Sequence, residues 1–221
     1  MKILLFCLLA LIPLSFASLG FDVSIYQGAL TLDDFTCFSN AGFDLVILQA
    51  WTSEGFNPYF NANFRNAKLS PIPNLDIYAF ICNQCEDNDP EQICDSLYKN
   101  TPNTFTGTLW LNIGPCDGCW SDDFGINLGF IQSTVDECQK KGFAKVGIYS
   151  TYSAWGSVLN DPTEGTPNLR NLDLWYVHYD NDAGFDDFTQ VAFGGWKQPR
   201  IKQYGGVVSS CGILVNTNFA N

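Results

Sequence analysis

The side chains best suited to covalent or metal chemistry in this sequence are its nine cysteines. Cys7 lies in an apolar N-terminal segment. The other eight are Cys37, Cys82, Cys85, Cys94, Cys116, Cys119, Cys138 and Cys211. Cys82 and Cys85 are separated by two residues, as are Cys116 and Cys119, and this spacing occurs both in zinc sites and in disulfide-bonded loops. Since the interval between the two pairs is longer than in common zinc-ribbon motifs, we expect disulfides and no bound metal. The sequence leaves their pairing open.

The first seventeen residues predict that the chain enters the secretory pathway, an oxidising environment in which disulfides form. Lys2 is followed by an almost purely apolar run from Ile3 to Leu14, and then by the small residues Ser15 and Ala17. This pattern predicts a signal peptide over residues 1–17 and a single mature domain over residues 18–221. The run is shorter than the roughly 20 residues that a membrane helix needs, so no membrane span is expected. We therefore expect a secreted protein, located outside the cell or in the lumen of an endolysosomal or phagosomal compartment.

The charged residues exclude some partners. The formal net charge is −12, which argues against nucleic acid as a partner and against attachment to bacterial walls or anionic membranes by charge attraction alone. The single histidine, His178, lies in a predicted strand, and we interpret it as structural. Asp117, Asp122 and Asp123 form an acidic loop before a predicted helix, and a helix-capping role is the simplest interpretation.

The elements that must position these residues alternate between strand and helix. Apolar, β-branched and aromatic runs predict strands at 19–25, 43–50, 76–81, 108–113, 145–150, 172–179, 201–204 and 213–217. Capping signals and basic last turns predict helices at 31–41, 57–69, 89–99, 123–141 and 151–159, the second beginning near Pro58. No helix is evident after Tyr179. Five β/α units and a helix-poor tail predict an α/β fold with one incomplete (β/α) barrel.

Both Cys-x-x-Cys pairs follow predicted strands, the third and the fourth. Consecutive β/α units place such strands side by side in a barrel. We therefore expect Cys82, Cys85, Cys116 and Cys119 to lie together on one rim of the barrel.

Several strand ends carry sequence motifs in a fixed order. The first, Gly20-Phe-Asp22-Val-Ser24-Ile-Tyr-Gln27-Gly28, resembles the opening Gly-x-Asp-x-Ser-x-x-Gln-Gly of the glycoside hydrolase family 25 lysozymes of the Chalaropsis type. Later segments that match in order are Tyr78-Ala-Phe80, Tyr149-Ser150, Trp175-Tyr-Val-His178-Tyr179 and Lys202-Gln203-Tyr204. The resemblance spans roughly residues 19–221 and is closest to the lysozyme-like branch of nematodes and amoebae. It implies a flattened (β/α) barrel with a glycan cleft at the carboxyl ends of the strands.

The resemblance fails at the acidic residues that the family uses. Its fourth strand ends in Asp-x-Glu, where the Glu is the general acid, and the matching positions here are Asn112 and Gly114. Its last strand carries Val-Asp-x-Asn, and here Asn216 replaces the Asp. Only Asp22 keeps the carboxylate that the resemblance assigns to the catalytic site. Glycoside hydrolysis needs a proton donor and a second carboxylate, so we expect hydrolysis to be weak or absent.

Other residues at predicted strand ends are suited to binding a sugar, because aromatic faces stack on pyranose rings. The candidates for this cleft floor are Trp51, Tyr78, Tyr149, Tyr179 and Gln203. Core packing is the alternative for each of them taken singly.

Three functions therefore remain open at this level. The first is a secreted, monomeric protein that binds peptidoglycan or a related amino-sugar polymer without efficient hydrolysis and without a cofactor. The second is an active muramidase with a displaced acid such as Asp117, cleaving the β-1,4 bond between N-acetylmuramic acid and N-acetylglucosamine in antibacterial defence or digestion. The third is a non-enzymatic interaction protein that keeps only the scaffold.

Overall fold

The computed structural model describes residues 17–86, 88–160 and 166–221. The expected signal peptide lies almost wholly outside the described residues, so its cleavage stays a prediction. None of the described helices has the length and apolar content required to cross a membrane.

The strands form one sheet that closes on itself. Their bounds are β1 Ser18–Val23, β2 Leu45–Thr52, β3 Gly55–Phe56, β4 Asn74–Phe80, β5 Leu109–Asn112, β6 Val146–Ser150, β7 Asp173–Val177, β8 Ile201–Ser210 and β9 Ile213–Ala220. The order is β1-β9-β8-β7-β6-β5-β4-β2-β3, and β1 also pairs with β2, which closes the barrel and leaves β3 as a short outlier. β1 and β2, and the neighbours from β2 through β4 to β8, are parallel, whereas β9 runs antiparallel to both β1 and β8.

The helices cover the outside of this barrel for most of its circumference. They are α1 Leu32–Asn40, α2 Phe60–Leu69, α3 Pro90–Asn100, α4 Phe124–Lys141, α5 Tyr152–Leu159, α6 Pro167–Arg170 and α7 Phe188–Val191. Asp89 and Asp123 cap α3 and α4 through their side chains, as their positions before these helices predict. Two expectations are wrong in detail. α2 begins at Phe60 instead of near Pro58, because Asn57 folds back and accepts the Tyr59 N–H. The short helix α7 follows Tyr179.

The predicted fold class is confirmed, and the barrel is incomplete only in its helices. The segment 178–200 between β7 and β8 contains only the four-residue helix α7, and β8 and β9 form a hairpin. Alternating strand residues build two apolar layers. Phe21 points outward and stacks on Phe38 of α1, with 4.0 Å between ring centroids. The barrel interior holds Leu45, Ile47, Tyr78, Trp110, Trp175 and Ile201.

Four disulfides join the expected cysteines. The pairs are Cys37–Cys211, Cys82–Cys85, Cys94–Cys138 and Cys116–Cys119. Cys94–Cys138 ties α3 to α4, and Cys37–Cys211 ties α1 to the tip of the β8–β9 hairpin. A disulfide that closes so long a segment, 174 residues apart, typically stabilises a domain by about 2–5 kcal/mol.

Candidate functional site

Asp22 lies inside the carboxyl end of the barrel. In β1 it pairs with Ile47 of β2 on one side and with Asn216 of β9 on the other. Its neighbours Phe21 and Val23 face the helices, so the alternation of the strand turns Asp22 inward. Only 6% of the residue is exposed. The carboxyl group therefore depends on protein donors for its hydrogen bonds.

Three side-chain amides supply those donors. Gln203 Nε2 and Asn218 Nδ2 donate to Asp22 Oδ2 at 2.7 and 2.9 Å, and Asn216 Nδ2 donates to Oδ1 at 3.1 Å. We call Gln203, Asn216 and Asn218 the amide cage. Asn216 and Asn218 occupy alternate positions of β9 and so share its inward face.

Each amide of the cage is held in one orientation by a further donor. Trp175 Nε1 donates to Asn218 Oδ1 at 2.9 Å, and the Val207 N–H donates to Asn216 Oδ1 at 3.0 Å. Because the amide oxygens are engaged in this way, their NH₂ groups must face Asp22. The site is thus built to present N–H groups to an acceptor.

Gln203 is fixed by two phenols. Tyr179 Oη and Tyr149 Oη both donate to Gln203 Oε1, at 2.6 and 3.1 Å. Their rings reach this position from the ends of neighbouring strands, and Tyr149 also packs on Trp175 with 4.0 Å between ring centroids. The aromatic floor and the amide cage are therefore one hydrogen-bonded unit.

The electrostatics of Asp22 reflect burial without a charged partner. Burial raises the pKa of Asp22 from 3.8 to about 6, and the hydrogen bonds of the amide cage partly offset this rise. The hydrogen bonds that lower this pKa come from uncharged side chains and from the backbone. A carboxyl group with such a pKa changes its charge under mildly acidic conditions.

The structure brings together four of the five residues predicted for the cleft floor. Tyr78, Tyr149 and Gln203 are buried or half-buried around Trp175, and Tyr179 is 56% exposed at the mouth. Trp51 lies apart. A β-bulge after Gln49 turns its ring into the layer between sheet and helices, where its Nε1 donates to Asn88 Oδ1 at 3.0 Å. Its sugar-binding role has no support from this position.

The end of β5 is where the resembled family has its Asp and Glu. Asn112 closes β5 beside Phe80 of β4 and Tyr149 of β6. A Cβ atom added to Gly114 would lie 3.2 Å from Asn112 Oδ1 and 3.2 Å from the Phe80 ring. An acidic side chain therefore needs small shifts of these neighbours to fit at this position.

The loops that follow β4 and β5 contain the two Cys-x-x-Cys disulfides. Cys85 Sγ lies 3.9 Å from Cys119 Sγ, and the Gln84 N–H donates to the Cys119 carbonyl at 3.0 Å. The expectation that these cysteines lie together on one rim is confirmed. Asp117, the candidate displaced acid, is exposed in the Cys116–Cys119 turn, and Asp123 caps α4.

His178 belongs to a separate ionic cluster behind the cleft wall. Its Nδ1 lies 2.6 Å from Asp187 Oδ2. Lys202, fully buried, donates to Asp180 at 2.6 Å and to Asp187 at 2.8 Å. The His178 imidazole and the carboxylates of Asp180 and Asp187 are close enough together to hold a metal ion. The Lys202 ammonium, however, already pairs with both carboxylates. The cluster braces the loop that carries Tyr179.

Sequence reasoning did not assign roles to Asn218 and Trp175 in the site. In the sequence, Asn218 is only the second Asn of Asn216-Thr-Asn218. Its role follows from the two-residue period of a β-strand, which turns its side chain to the same face of β9 as that of Asn216. Trp175 was visible only as a motif residue. Pairing between distant strands, which a motif does not encode, makes them partners.

Comparison with known proteins agrees with this architecture. Residues 16–204 match the family model described as Lysozyme-like protein 1. The chain belongs to this lysozyme-like family, within glycoside hydrolase family 25. It is 35% identical over 224 residues to Counting factor 45-1 of Dictyostelium discoideum, covering 99% of this chain and 72% of that protein. It is 32% identical over 221 residues to Probable GH family 25 lysozyme 3 of the same organism, covering 99% of this chain but 44% of that longer protein.

Solved structures show the same lysozyme-like barrel at low sequence identity. The muramidase from Acremonium alcalophilum superposes with a TM-score of 0.74 at 17% identity, covering 92% of this chain and 93% of its own. The modular autolysin LytC from Streptococcus pneumoniae, in complex with a synthetic peptidoglycan ligand, gives 0.69 at 17% identity, covering 93% and 47%. These likenesses establish the fold.

Proposed function

We propose that this lysozyme-like protein binds peptidoglycan or a related amino-sugar polymer at the Asp22 cleft and hydrolyses it weakly or not at all. The observation that carries the proposal is the composition of the cleft. Asp22 is surrounded by neutral amides and aromatic rings, and Asn112 and Gly114 occupy the positions where a glycosidase of this family has its carboxylates.

Hydrolysis of a glycosidic bond requires two carboxyl groups with different tasks. One protonates the departing oxygen, and the other acts as nucleophile or as base. An Asn hydrogen-bonds in the same place but neither ionises nor donates an acidic proton. A cleft with one carboxyl group therefore keeps the means to bind sugars while it lacks half of the chemistry.

The proposal includes secretion. Its support is the N-terminal sequence pattern together with four disulfides, which persist in oxidising compartments. The expectation of a monomer without a cofactor stays part of the proposal.

The test is a pull-down on insoluble peptidoglycan, with bacterial lysis followed by turbidity in parallel from pH 4 to 7. We expect the protein to be retained on the pellet and turbidity to stay at the background rate. Tyr179→Ala, which removes an exposed ring at the cleft mouth, should reduce retention about tenfold. Tyr98→Ala is the matched control, since Tyr98 is similarly exposed but lies on α3, outside the cleft.

Two outcomes would favour the other functions. Absence of retention would point to an interaction protein that has lost glycan binding. Lysis would point to an active muramidase, for which the pKa of about 6 at Asp22 is the favourable observation, since a neutral carboxyl can donate a proton. Loss of that lysis in Asp117→Asn would identify the displaced acid, and loss only in Asp22→Asn would assign the chemistry to Asp22.

A further inference from the structure

The amino end of the barrel, opposite the Asp22 cleft, contains two adjoining cavities of about 730 and 360 Å³. The larger lies between residues 170–173 and residues 195–200, and the smaller lies among the starts of β2, β4 and β8. Arg200 and Asn221 line both cavities. The two cavities are therefore parts of one concave surface, which we call the basal cavity.

The basal cavity concentrates positive charge on an acidic protein. Its acidic lining residues are Asp76 and Asp173, whereas five of the eleven Lys and Arg residues in the sequence line it. These five cations are Lys68, Lys145, Arg170, Lys197 and Arg200. Since the whole chain has a formal net charge of −12, this surface has the opposite sign to the protein as a whole.

The five cations lack the carboxylate partners that other cations of the chain have. Those that pair with Asp or Glu side chains are Lys99, Lys140, Lys141 and Lys202. In the described part of the chain, no ion pair joins a carboxylate to any of the five, and all five residues are exposed. Like charges that are gathered in this way repel each other, and a bound anion relieves the repulsion.

Asp76, in the smaller part of the basal cavity, does not neutralise this charge by direct contact. Its Oδ1 accepts the Thr108 N–H at 2.7 Å, and its Oδ2 accepts Trp110 Nε1 at 2.9 Å. Burial raises the pKa of Asp76, and Lys145 and Arg200 are among the groups that lower it. Both cations therefore act on the same small region of the cavity, where an anion is within their reach.

The segment that carries Lys197 and Arg200 is fixed to the start of β7. The Arg200 N–H donates to the Leu174 carbonyl at 2.7 Å, and Trp196 Nε1 donates to the Leu172 carbonyl at 2.9 Å. Because this backbone is already ordered, ligand binding has to order only the side chains, which lowers its entropic cost.

The side chains of the basal cavity suit phosphate groups. The guanidinium groups of Arg170 and Arg200 can bind an oxyanion through two parallel N–H bonds, and lysine ammonium groups add point charges. A chain of linked phosphates is negative at every link, which matches cations that are spread over two adjoining cavities. Among the described lining residues, the aromatic side chains of Phe105 and Trp196 are half-buried or buried, so no exposed ring is available for a nucleobase to stack on.

We propose that the basal cavity is an anion-binding site, which takes a soluble ligand that carries several linked phosphate groups. Arg200 is its central residue, because it lines both parts of the cavity. The inference is independent of glycan binding, since the Asp22 cleft is at the opposite end of the barrel.

The test measures phosphate binding by calorimetry, with tripolyphosphate and orthophosphate as probes. We expect tripolyphosphate to bind at least about tenfold more tightly than orthophosphate at low ionic strength, because it contacts more of the cations. At about 1 M salt the affinity should fall strongly, because exposed charges are then screened.

Arg200→Gln should reduce the tripolyphosphate affinity by about tenfold or more, as expected for the loss of a charged hydrogen-bond donor. Lys145→Gln and Lys197→Gln, each in one part of the cavity, should reduce it less. Arg65→Gln is the matched control, since Arg65 is exposed on α2 and lines neither cavity. Thermal unfolding should be similar in all four variants, and Arg200→Gln should be retained on peptidoglycan as well as the unmodified protein.

Three outcomes would overturn the proposal. The first is a lack of tripolyphosphate binding at low ionic strength, or an affinity that falls equally in Arg200→Gln and Arg65→Gln. The second is sedimentation with vesicles of phosphatidylcholine and phosphatidylglycerol, lost in Arg200→Gln, without tripolyphosphate binding, which would make the basal cavity a membrane contact. The third is self-association that Arg200→Gln abolishes, again without tripolyphosphate binding, which would make it a contact with the acidic end of a second copy.

Discussion

Two carboxyl groups, the buried Asp22 and the half-buried Asp76, lie at opposite ends of the barrel and have different surroundings. Asp76, near the start of β4, accepts the Thr108 N–H at 2.7 Å and Trp110 Nε1 at 2.9 Å. Burial raises the pKa of Asp76, while these hydrogen bonds and the nearby cations Lys145 and Arg200 lower it. Asp22 has hydrogen bonds from neutral amides only.

The loops at the two ends of the barrel also differ in their content of cationic residues. Among the described residues, the loops that follow the carboxyl ends of the parallel strands contain no Lys or Arg. The opposite end has two adjoining cavities of about 730 and 360 Å³, which share Arg200 and are also lined by Lys68, Lys145, Arg170 and Lys197. Asp76 is therefore a structural acid supported by cations. Asp22 is balanced only by fixed dipoles, so its charge responds to changes in the cleft.

The largest expected effect comes from rebuilding carboxylates around Asp22. Gly114→Glu alone supplies an acid but leaves Asn112 and Asn216 uncharged, and catalytic groups that act together are strongly non-additive. The triple change Asn112→Asp, Gly114→Glu and Asn216→Asp should raise wall lysis by roughly 10²-fold or more over the unmodified protein. Turbidity loss at matched folded concentration measures this.

A silent triple variant that still binds peptidoglycan would show that the cleft has changed beyond its acidic residues. Asn216→Asp also exchanges a donor to Asp22 for a second carboxylate, so the pKa of Asp22 should rise above 6 in that variant. The same triple change should leave Asp76 unaffected, because Asp76 lies at the other end.

The second prediction concerns stability, through Asn218→Asp. Asn218 is fully buried, and the variant keeps the acceptor for Trp175 but turns a carboxylate oxygen toward Asp22 Oδ2. Two carboxylates without a cation should cost about 3–5 kcal/mol of unfolding free energy at pH 7 and less at pH 4. Urea denaturation measures both values. Asp76→Asn is the corresponding change at the other end of the barrel. Its effect on the unfolding free energy should not depend on the charge of Asp22.

The third prediction is the pH dependence that Asp22 imposes. Its pKa is about 6 in the folded protein and 3.8 in the unfolded chain, so between these values the native state binds more protons. The unfolding free energy should therefore fall as pH rises from 4 to 6, by about 2 kcal/mol for this group alone. Asp180 and Asp187, whose pKa values are lowered despite burial by bonds to Lys202, act in the opposite direction at lower pH.

The difference between the wild type and Asp22→Asn isolates this group. In the variant, the amide oxygen takes the place of Asp22 Oδ2 and accepts from Gln203 and Asn218. The amide nitrogen takes the place of Oδ1 and faces the Asn216 NH₂ group, at a cost in unfolding free energy that does not change with pH. The difference in unfolding free energy should therefore change steeply between pH 4 and 6 and become flat above. A difference that is flat throughout would mean that Asp22 titrates normally.

Local signals in the sequence accounted for most of the fold. Alternating apolar runs located the eight strands of the barrel, and Thr31, Asp89 and Asp123 marked helix starts through their capping chemistry. The start of α2 was misplaced because Asn57 competes as a turn former with Pro58. Short α7 was missed because four residues give no period to detect.

The site was predictable only where a motif named a single residue. Asp22 and Gln203 were found in this way, but the amide cage depends on β1, β8 and β9 meeting, and these are far apart in the chain. Trp51 was misplaced because one bulge residue turns all following side chains of a strand to the opposite face of the sheet. The sequence around Gln49 contains no signal that predicts this bulge. Closure of the barrel therefore decides which strand-end residues share the cleft.

The smallest effect should come from Tyr179→Phe, which removes one hydroxyl and keeps the ring. Tyr179 Oη donates to Gln203 Oε1 at 2.6 Å, and Tyr149 Oη donates to the same oxygen at 3.1 Å, so the amide keeps one of its two restraints. Loss of one such hydrogen bond costs about 1 kcal/mol. A less ordered Gln203 donates less well to Asp22, and the pKa of Asp22 should therefore rise by a fraction of a unit above 6. Carbon NMR titration of the Asp22 carboxyl measures this shift, with Tyr98→Phe on α3 as the unchanged control. Tyr149→Phe, which removes the longer bond, should shift the pKa less than Tyr179→Phe does. An equal or larger shift in Tyr149→Phe would mean that the half-buried phenol of Tyr149, and not that of Tyr179 at the cleft mouth, orients the Gln203 amide.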